Sequence, residues 1–320
     1  MNRTRCFVAA ALACAFAISP PVHAAETLRV GKAVPQAFSF VPLDIGMRKG
    51  FFRQNGLDID EVAFAGDAKM QQAMAADSLD IGIGSGPAMA FIAKGAPVKA
   101  VAAMAGRPLL LTIAARPDGP KTLAELKGKK VGVSTAGSLT YWLVSETSRQ
   151  QGWGPNGIVI APMGAMAGQI AALERGDIDG VVMDITTVLE LQEKGKVRVL
   201  IRFGNIAKDF HVHVIYATNK LIADKPAALR GFLKGWFDTI AFMRANRAET
   251  VAIGMDVLHT DAAIMNATYD ELMPMFSDDG RFNPKALDML AQSWVDLKML
   301  PQVPDLKTLY TEAFLPAPIR

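Results

Sequence analysis

The chain has 320 residues, in which 34 Lys and Arg stand against 31 Asp and Glu. This near balance, without a basic stripe or an acidic tail, argues against a nucleic-acid-binding protein and against a disordered chain. Both cysteines, Cys6 and Cys14, lie near the start, so the remainder offers no thiol for a disulfide, a cysteine nucleophile or a Cys-ligated zinc. The roughly 295 residues that follow the first two dozen are typical of two domains.

Residues 1–24 have the pattern of a secretory signal peptide. A basic start, Asn2–Arg5, precedes the apolar run Cys6–Ile18, which is shorter than the about 20 residues of a membrane span, and small residues follow. We therefore expect cleavage after Ala24 or Ala25 and export of the protein. The alternative is a lipoprotein anchored through Cys14, although the leucine before it stands one position late for a lipidation motif.

Beyond this leader, short apolar runs alternate with segments of helical period. The strand-length runs are Leu28–Val34, Leu57–Phe64, Asp80–Gly84, Val98–Met104, Lys130–Val133, Ile158–Ala161, Gly180–Met183 and Val197–Arg202. The helical segments between them include Asp67–Ala76, Pro87–Lys94, Ser138–Gln151 and Gln169–Arg175. This alternation predicts an α/β protein with parallel sheets covered by helices. From Lys220 onward the helical period is nearly continuous, which predicts a C-terminal helical tail that covers an existing sheet.

Two segments about 100 residues apart share one plan. Gln71–Gly86 and Gln169–Asp184 each run from a short helix through Asp-Ile into a buried strand. This spacing is too long for a solenoid repeat and suits two similar α/β domains with the unit at equivalent places. The alternative is that any two strand–helix–strand units look alike.

The chain also resembles a known family in five segments. They are Phe40–Val62, Ala75–Ser85, Ala93–Ala103, Lys121–Val133 and Ala172–Val182. The first, with its Lys-Gly-Phe-Phe and Gly-Leu, is the most specific. On these segments the chain resembles the periplasmic substrate-binding proteins of ABC importers, in the group that includes nitrate, sulfonate, taurine and thiamine-precursor binders.

The resemblance implies the type II periplasmic-binding-protein fold, with two α/β lobes, two crossover strands and a ligand held between the lobes. Lobe one is then 26–114 plus 210–320, lobe two is 115–209, and the crossings fall near Ala114–Arg116 and Ala207–Val212. His211–Ala217 is the returning strand. The implied protein is a periplasmic monomer that has no cofactor and catalyses no reaction. It presents a small, anionic organic solute to an ABC permease and touches the membrane only through that permease.

The stretch Ser134–Trp142 is the first candidate for ligand contact. If Ser138 begins the helix, the amides near Ser138, Leu139 and Thr140 point outward unpaired and suit a sulfonate, a carboxylate or nitrate. The hydroxyls of these residues and of Ser134 and Thr135 add donors. The alternative is an ordinary serine N-cap. A phosphate-enzyme motif is excluded, because no Lys-Ser/Thr follows the glycine.

Lobe one offers two further candidate segments. Pro87 suits the first helical position, which leaves Ser85 and Gly86 with exposed amides, although a plain tight turn explains them equally well. In the family the loop after the first strand contributes side chains, and here that implies Gln36, Phe38 and Ser39. Phe38 is either a pocket wall or part of the core.

In lobe two, Asp184 ends a strand and precedes a helix. It either neutralises an amine on the ligand or caps that helix. Met163 and Met166 follow the preceding strand and are candidates for an apolar wall. Many relatives have a Trp-Pro-type segment where this chain has Met-Asp-Ile-Thr-Thr, so the family's substrates do not transfer directly.

Three residues suggest other chemistry only weakly. His211 and His213 share one face of a strand, but no third ligand stands nearby, so they are better interpreted as hinge-strand residues than as a metal site. Arg107 is the one cation that we expect near the cleft. It either binds an oxyanion there or is an ordinary solvated arginine at the end of a strand.

Two functional alternatives stay open. The same family includes a pyrimidine synthase of thiamine biosynthesis, but that branch is cytosolic and uses a cysteine-rich motif that is absent here. The second alternative is an accessory protein that signals ligand binding to a membrane kinase. The chemical class of the ligand stays open as well.

Overall fold

The computed structural model describes residues 25–317, except 36, 65, 137 and 155. The strands are β1 (Glu26–Lys32), β2 (Leu57–Ala63), β3 (Ile81–Ser85), β4 (Val98–Ala105), β5 (Leu111–Ala115), β6 (Lys130–Val133), β7 (Val159–Pro162), β8 (Gly180–Asp184), β9 (Arg198–Arg202) and β10 (His213–Thr218). The helices are α1 (Val41–Lys49), α2 (Asp67–Ala75), α3 (Ala90–Ala93), α4 (Leu139–Gln150), α5 (Met166–Arg175), α6 (Ile185–Glu193), α7 (Asn219–Asp224), α8 (Pro226–Ala245), α9 (Arg247–Leu258), α10 (Ala262–Leu272) and α11 (Pro284–Asp296). The expected signal peptide, residues 1–24, lies outside the described residues.

The strands form two five-stranded sheets with the same arrangement. The order is β2-β1-β3-β10-β4 in the first sheet and β7-β6-β8-β5-β9 in the second. In each, the first three strands are parallel and the fourth is antiparallel to both of its neighbours. The sheets are therefore mixed rather than parallel, because β5 and β10 each arrive from the other sheet. The repeated sequence unit ends in β3 and in β8, which occupy the same place in their sheets, so the prediction of two similar domains is confirmed.

The first crossing between the sheets lies earlier than predicted. β5 pairs with β8 and β9, so the chain leaves the first sheet after Ala105 and enters the second at Leu111. The predicted boundary at residue 114 and the crossing at 114–116 are wrong for this strand, because the apolar run before Arg116 is itself a strand of the second sheet. The return connection runs from residue 203 to residue 212. We call the first sheet with its helices and the tail lobe one, and the second sheet with its helices lobe two.

The C-terminal tail is helical and covers lobe one, as the sequence predicts. α8 buries Leu229, Phe232, Leu233, Trp236 and Ile240, which share one face at the helical period, against the lobe. Burial of side chains of this size contributes about 1.5–3 kcal/mol each. The tail also bridges from residues 276 and 310 to the otherwise open edge of β4, which satisfies part of that strand's backbone. Within the residues that the structure describes, no helix has both the length and the apolar character needed to cross a bilayer.

Candidate functional site

The candidate site lies where the parallel strands of the two lobes end. In an open α/β sheet, ligands bind beyond the carboxyl ends of the strands, where helices begin and their amides are exposed. β3 ends at Ser85 in lobe one, and β8 ends at Asp184 in lobe two. The loop after β6 leads through Ser134 into α4.

Ser138 is the N-cap of α4, as the sequence predicts. Its backbone is extended (φ −82°, ψ 166°), and its Oγ accepts a hydrogen bond from the Tyr141 amide at 3.2 Å. The Ser138 amide is not free, because it donates to the Thr135 carbonyl at 3.3 Å. The first amides of a helix have no intrahelical acceptor, and within the part of the chain that the structure describes the Leu139 and Thr140 N–H groups have no hydrogen-bond partner.

The hydroxyls around this cap form a directed chain that we call the hydroxyl chain: Ser134, Thr140 and Ser138. Ser138 Oγ lies 2.8 Å from the Thr135 carbonyl, which can only accept, so Ser138 donates there. Thr140 Oγ1, 2.9 Å from Ser138 Oγ, then donates to Ser138, and Ser134 Oγ, 3.0 Å from Thr140, donates to Thr140. All three protons are consumed within the loop.

This corrects one part of the sequence interpretation. Ser134, Ser138 and Thr140 do not add hydroxyl donors for a ligand; they organise the start of α4. Thr135 is exposed, and its hydroxyl remains a candidate donor beside the amides of Leu139 and Thr140. Those amides lie at the positive end of the helix dipole, where an anion is stabilised.

On the lobe-one side, Ser85 is held by a carboxylate that sequence reasoning missed. Asp67, the first residue of α2, accepts from the Ser85 amide at Oδ1 and from the Ser85 hydroxyl at Oδ2, both at 2.8 Å. Burial raises the pKa of Asp67, whereas the two hydrogen bonds from Ser85 favour the ionised form. The Tyr216 hydroxyl donates to the Ser85 carbonyl at 2.6 Å. Burial raises the pKa of Tyr216 well above its usual value, and the Asp67 charge adds to the shift, so this phenol keeps its proton.

The expected exposed amides at Ser85 and Gly86 are not found. The Ser85 amide donates to Asp67, and the Gly86 amide donates to the Val212 carbonyl at 3.0 Å. Gly86 is buried, and a Cβ at this position would lie 1.9 Å from the His211 carbonyl oxygen. Gly86 is therefore a point of close approach between the turn after β3 and the returning chain, and only its neighbour Ser85 is partly exposed.

The loop after β1 is mostly packed into lobe one. Phe38 is buried, with its ring centroid 5.9 Å from that of Phe276, so it belongs to the core rather than to an exposed pocket wall. Ser39 is fully buried, and its Oγ has no hydrogen-bond partner in the described part of the chain. Gln36 lies outside the described residues.

In lobe two, Asp184 caps α6. Its Oδ1 accepts from the Thr187 amide at 3.0 Å and its Oδ2 from the Thr187 hydroxyl at 2.6 Å. Of the two roles that the sequence left open, the cap is therefore observed. Met163 is 36% exposed after β7, and its amide is fixed to the Val133 carbonyl at 2.9 Å. Met166 is the first residue of α5.

The two histidines are buried in lobe one. His211 Nε2 accepts from the Asn283 amide at 3.0 Å, and desolvation lowers its pKa to about 4. His213 packs edge-on against Phe40, with ring centroids 5.0 Å apart, and desolvation lowers its pKa to about 3. The described residues contain no group of three His, Cys, Asp or Glu side chains that is arranged to hold a metal ion. Arg107 is exposed in the first crossing.

The lobes touch each other through side chains that sequence reasoning did not select. Arg202 at the end of β9 forms an ion pair with Glu271 of α10, and the hydroxyls of Thr186 and Thr268 lie 3.3 Å apart. These contacts join residues far apart in sequence, so no local pattern indicates them. They place α6 of lobe two directly against α10 of the tail.

A buried tryptophan lies at a second junction between the lobes. Trp142 of α4 stacks on Phe210 of the return connection, with ring centroids 5.0 Å apart. Its Nε1 donates to Asp296 at the end of α11 at 3.3 Å. The first turn of α4 is therefore packed against both the return connection and the tail.

Comparison with known proteins adds a family and a fold. The family model described as NMT1/THI5 like matches residues 37–250. A putative thiamine biosynthesis protein of Haemophilus influenzae is 32% identical over 94 residues. That match covers 29% of this chain and 30% of the relative, so less than a third of the relative's length is compared.

Three solved structures are similar over most of both chains. The periplasmic aliphatic sulphonate binding protein SsuA of Escherichia coli has a TM-score of 0.74 and 21% identity, covering 89% of this chain and 92% of its own. The ligand-binding component of an ABC-type import system of Staphylococcus aureus has a TM-score of 0.76 and 16% identity, over 90% and 97%. The desulfurization enzyme DSZB has a TM-score of 0.65 and 14% identity, over 90% and 97%. At these identities the similarity concerns the fold, and it confirms the predicted two-lobed periplasmic-binding-protein fold.

Proposed function

The chain belongs to the NMT1/THI5-like family, and we propose that it is an extracytoplasmic solute-binding protein that captures a small, anionic organic solute between its lobes and delivers it to an ABC permease. One observation carries the proposal: at the start of α4 the hydroxyl chain orients the cap, and the Leu139 and Thr140 amides, which have no partner among the described residues, suit an anion. A preorganised set of donors binds an oxyanion without the cost of ordering the loop.

Binding then proceeds by lobe closure without chemistry. An anion on the α4 amides of lobe two is covered when lobe one approaches with Ser85, and closure removes water from the cleft. The absence of any cysteine after Cys14 and the burial of His211 and His213 support a binding protein over an enzyme, although an enzyme shares the fold. Export to the periplasm follows from the expected signal peptide, and the permease as partner is suggested by the import component of similar structure.

A second candidate function is the binding of a pyrimidine precursor of thiamine. It is favoured by the relative from Haemophilus influenzae, whose name assigns it to thiamine biosynthesis. A pyrimidine presents ring nitrogens and exocyclic amines rather than a full negative charge, so it makes less use of the α4 amides. The two candidates therefore predict different ligands in one screen.

The test is a thermal-shift screen of the purified protein against alkyl and aryl sulfonates, taurine, nitrate, bicarbonate, carboxylates and pyrimidines. A ligand present at one hundred times its dissociation constant raises the melting temperature by about 5 °C. We expect the shift to be confined to one class of oxyanion. The combined Ser138→Ala and Thr140→Ala variant should lose it, and Thr308→Ala, which removes a hydroxyl in the tail, should keep it. A shift only with pyrimidines favours the second candidate, and no shift with any compound contradicts both.

A further inference from the structure

The lobe-one side of the cleft has a hydroxyl whose hydrogen-bonding direction is fixed. Ser85 is partly exposed at the carboxyl end of β3, and both of its donors, the amide and the hydroxyl, are directed to Asp67 at 2.8 Å. A serine hydroxyl has one proton and two lone pairs. With the proton committed to Asp67, the Ser85 oxygen can only accept a hydrogen bond from a ligand.

No neighbouring group among the described residues changes the direction of the Ser85 hydroxyl hydrogen bond. The Tyr216 hydroxyl donates to the Ser85 carbonyl and therefore offers no competing donor to the hydroxyl. Lys32, the last residue of the neighbouring β1, is buried and paired with Asp44 at 3.4 Å and with Glu61, so its charge is neutralised locally. An oxyanion placed at Ser85 would meet oxygen lone pairs and no donor, because the Ser85 proton is directed to Asp67.

The lobe-two side has the opposite polarity. The Leu139 and Thr140 amides at the start of α4 are donors, since the first N–H groups of a helix have no intrahelical acceptor. A ligand held between the two sides therefore meets donors on one side and a forced acceptor on the other. An oxyanion that carries no hydrogen-bond donor pairs with the α4 amides but leaves the Ser85 oxygen without a partner.

We propose that Asp67 is a positioning residue which, by holding the Ser85 hydroxyl as an acceptor, selects ligands that carry an N–H or O–H donor opposite their anionic group. This rests on the proposed function and deepens it: the substrate class becomes an anion with a second, hydrogen-bond-donating end, such as an amino-substituted sulfonate or carboxylate. The anionic group lies on α4, and the donor lies on Ser85. Asp67 itself does not touch the ligand.

The test compares matched pairs of compounds by isothermal titration calorimetry near neutral pH. The pairs are 2-aminoethanesulfonate with ethanesulfonate, β-alanine with propionate, and 3-aminobenzenesulfonate with benzenesulfonate. The unmodified protein should bind the amino member of at least one pair about tenfold more tightly than its partner, the value of one hydrogen bond to a charged or polarised acceptor.

Two variants separate the positioning role from a structural one. In Asp67→Asn the new amide donates to Ser85 Oγ and releases the serine proton, so the preference for the amino member should fall to about threefold or less. Ser85→Ala, which leaves the Asp67 bond to the backbone amide in place, should lose the preference too. Asp261→Asn, an equivalent change at the N-cap of α10, should keep it. The melting temperature of each variant confirms that it is folded, and a structural defect alone would weaken both members of a pair equally.

The outcomes distinguish this inference from the proposed function. Equal or tighter binding of the members without the amino group overturns the inference and leaves the proposed function intact. A preference that survives both Asp67→Asn and Ser85→Ala overturns the assignment to these residues. If no compound of any pair binds, while the pyrimidines bind or nothing does, the proposed function fails and the inference fails with it.

Discussion

At the scale of single residues, the N-cap of α4 shows how one side chain serves both the fold and the site. Ser138 accepts from the Tyr141 amide and donates to the Thr135 carbonyl, and through Thr140 it orients Ser134. In the proposed function, the two amides at the start of the same helix bind the ligand. Stability and binding at this position are therefore separable by the choice of substitution.

We predict that Ser138→Ala lowers the free energy of unfolding by about 1 kcal/mol, whereas Ser138→Gly lowers it by only a few tenths, because glycine is tolerated at an N-cap and alanine is not. Urea unfolding measures both values. Because each variant breaks the hydroxyl chain, both should weaken ligand binding to a similar extent. Unchanged stability of Ser138→Ala would show that the cap does not stabilise the helix.

A second prediction at this scale concerns the buried histidines. Desolvation lowers the pKa of His213 to about 3, so the folded protein binds no proton there at pH 5, whereas the unfolded chain, with a histidine pKa of about 6.5, does. The unfolded state is thus favoured as the pH falls from about 6.5, and this residue alone removes about 2 kcal/mol of stability by pH 5. The loss is absent above pH 7.

The measurement is the free energy of unfolding at several pH values for the natural protein and for His213→Gln. The difference between the two should shrink or change sign between pH 7 and pH 5, because the variant lacks the titrating group. Comparing the two proteins cancels contributions from other groups, including His211 and Asp67. Parallel pH profiles would contradict the prediction.

At the scale of elements, the turn after β3 depends on a backbone approach that no local pattern indicates. Gly86 donates to the Val212 carbonyl and stands against the His211 carbonyl, so the turn and the return connection are in direct backbone contact. This contact joins the turn after β3, which follows Ser85, to the chain that leads into β10. The glycine is required for space here, not for its backbone angles.

We predict that Gly86→Ala destabilises the protein by about 3 kcal/mol, because the obstacle is a backbone carbonyl that cannot rotate away. The control is Gly168→Ala in α5, where no atom lies within 4 Å of the added Cβ. That change should leave stability unchanged or raise it by up to about 1 kcal/mol, since alanine favours the helix. Denaturant titration of both variants is the measurement, and equal effects would contradict the structural explanation.

At the scale of the whole molecule, the two lobes are held together by a few side-chain contacts. Arg202 and Glu271 form an ion pair between β9 and α10, with side chains 39% and 31% exposed. Exposed pairs of this kind contribute only about 0.2–1 kcal/mol. A contact of that size biases the opening and closing of the lobes without locking them.

We predict that the Arg202→Ala and Glu271→Ala double variant shifts the lobes toward an open arrangement and weakens ligand binding about twofold. Small-angle X-ray scattering should show a larger radius of gyration without ligand, with an unchanged melting temperature. Arg247→Ala with Asp270→Ala, which removes an ion pair between α9 and α10 inside the tail, should alter neither. An unchanged radius and affinity in the first variant would contradict the role of this pair.

Much of the fold was predictable, but only part of the site. The repeated sequence unit predicts the two domains, the helical period predicts the tail, and a capping residue predicts the start of α4 at Ser138. Each of these signals is carried by the residues of the element itself. β5 was missed, although turn residues flank it on both sides, because its partners, β8 and β9, come much later in the chain. Its assignment to lobe two follows from where the chain crosses, which is a property of the tertiary structure.

The residues of the candidate site also fall into those indicated by local sequence and those that depend on tertiary contacts. The sequence by itself placed Ser138 and Asp184 at the starts of helices and offered a cap as one of two roles for each, because a cap needs only its own side chain and the next three residues. Only the tertiary structure decided that the Ser85 amide and hydroxyl donate to Asp67, that the Gly86 amide is bonded and that Phe38 is core. Each of these depends on a partner brought close by the sheet: Asp67, Val212 and Phe276. Hydrogen-bond direction is set by both partners, and a sequence pattern names only one of them.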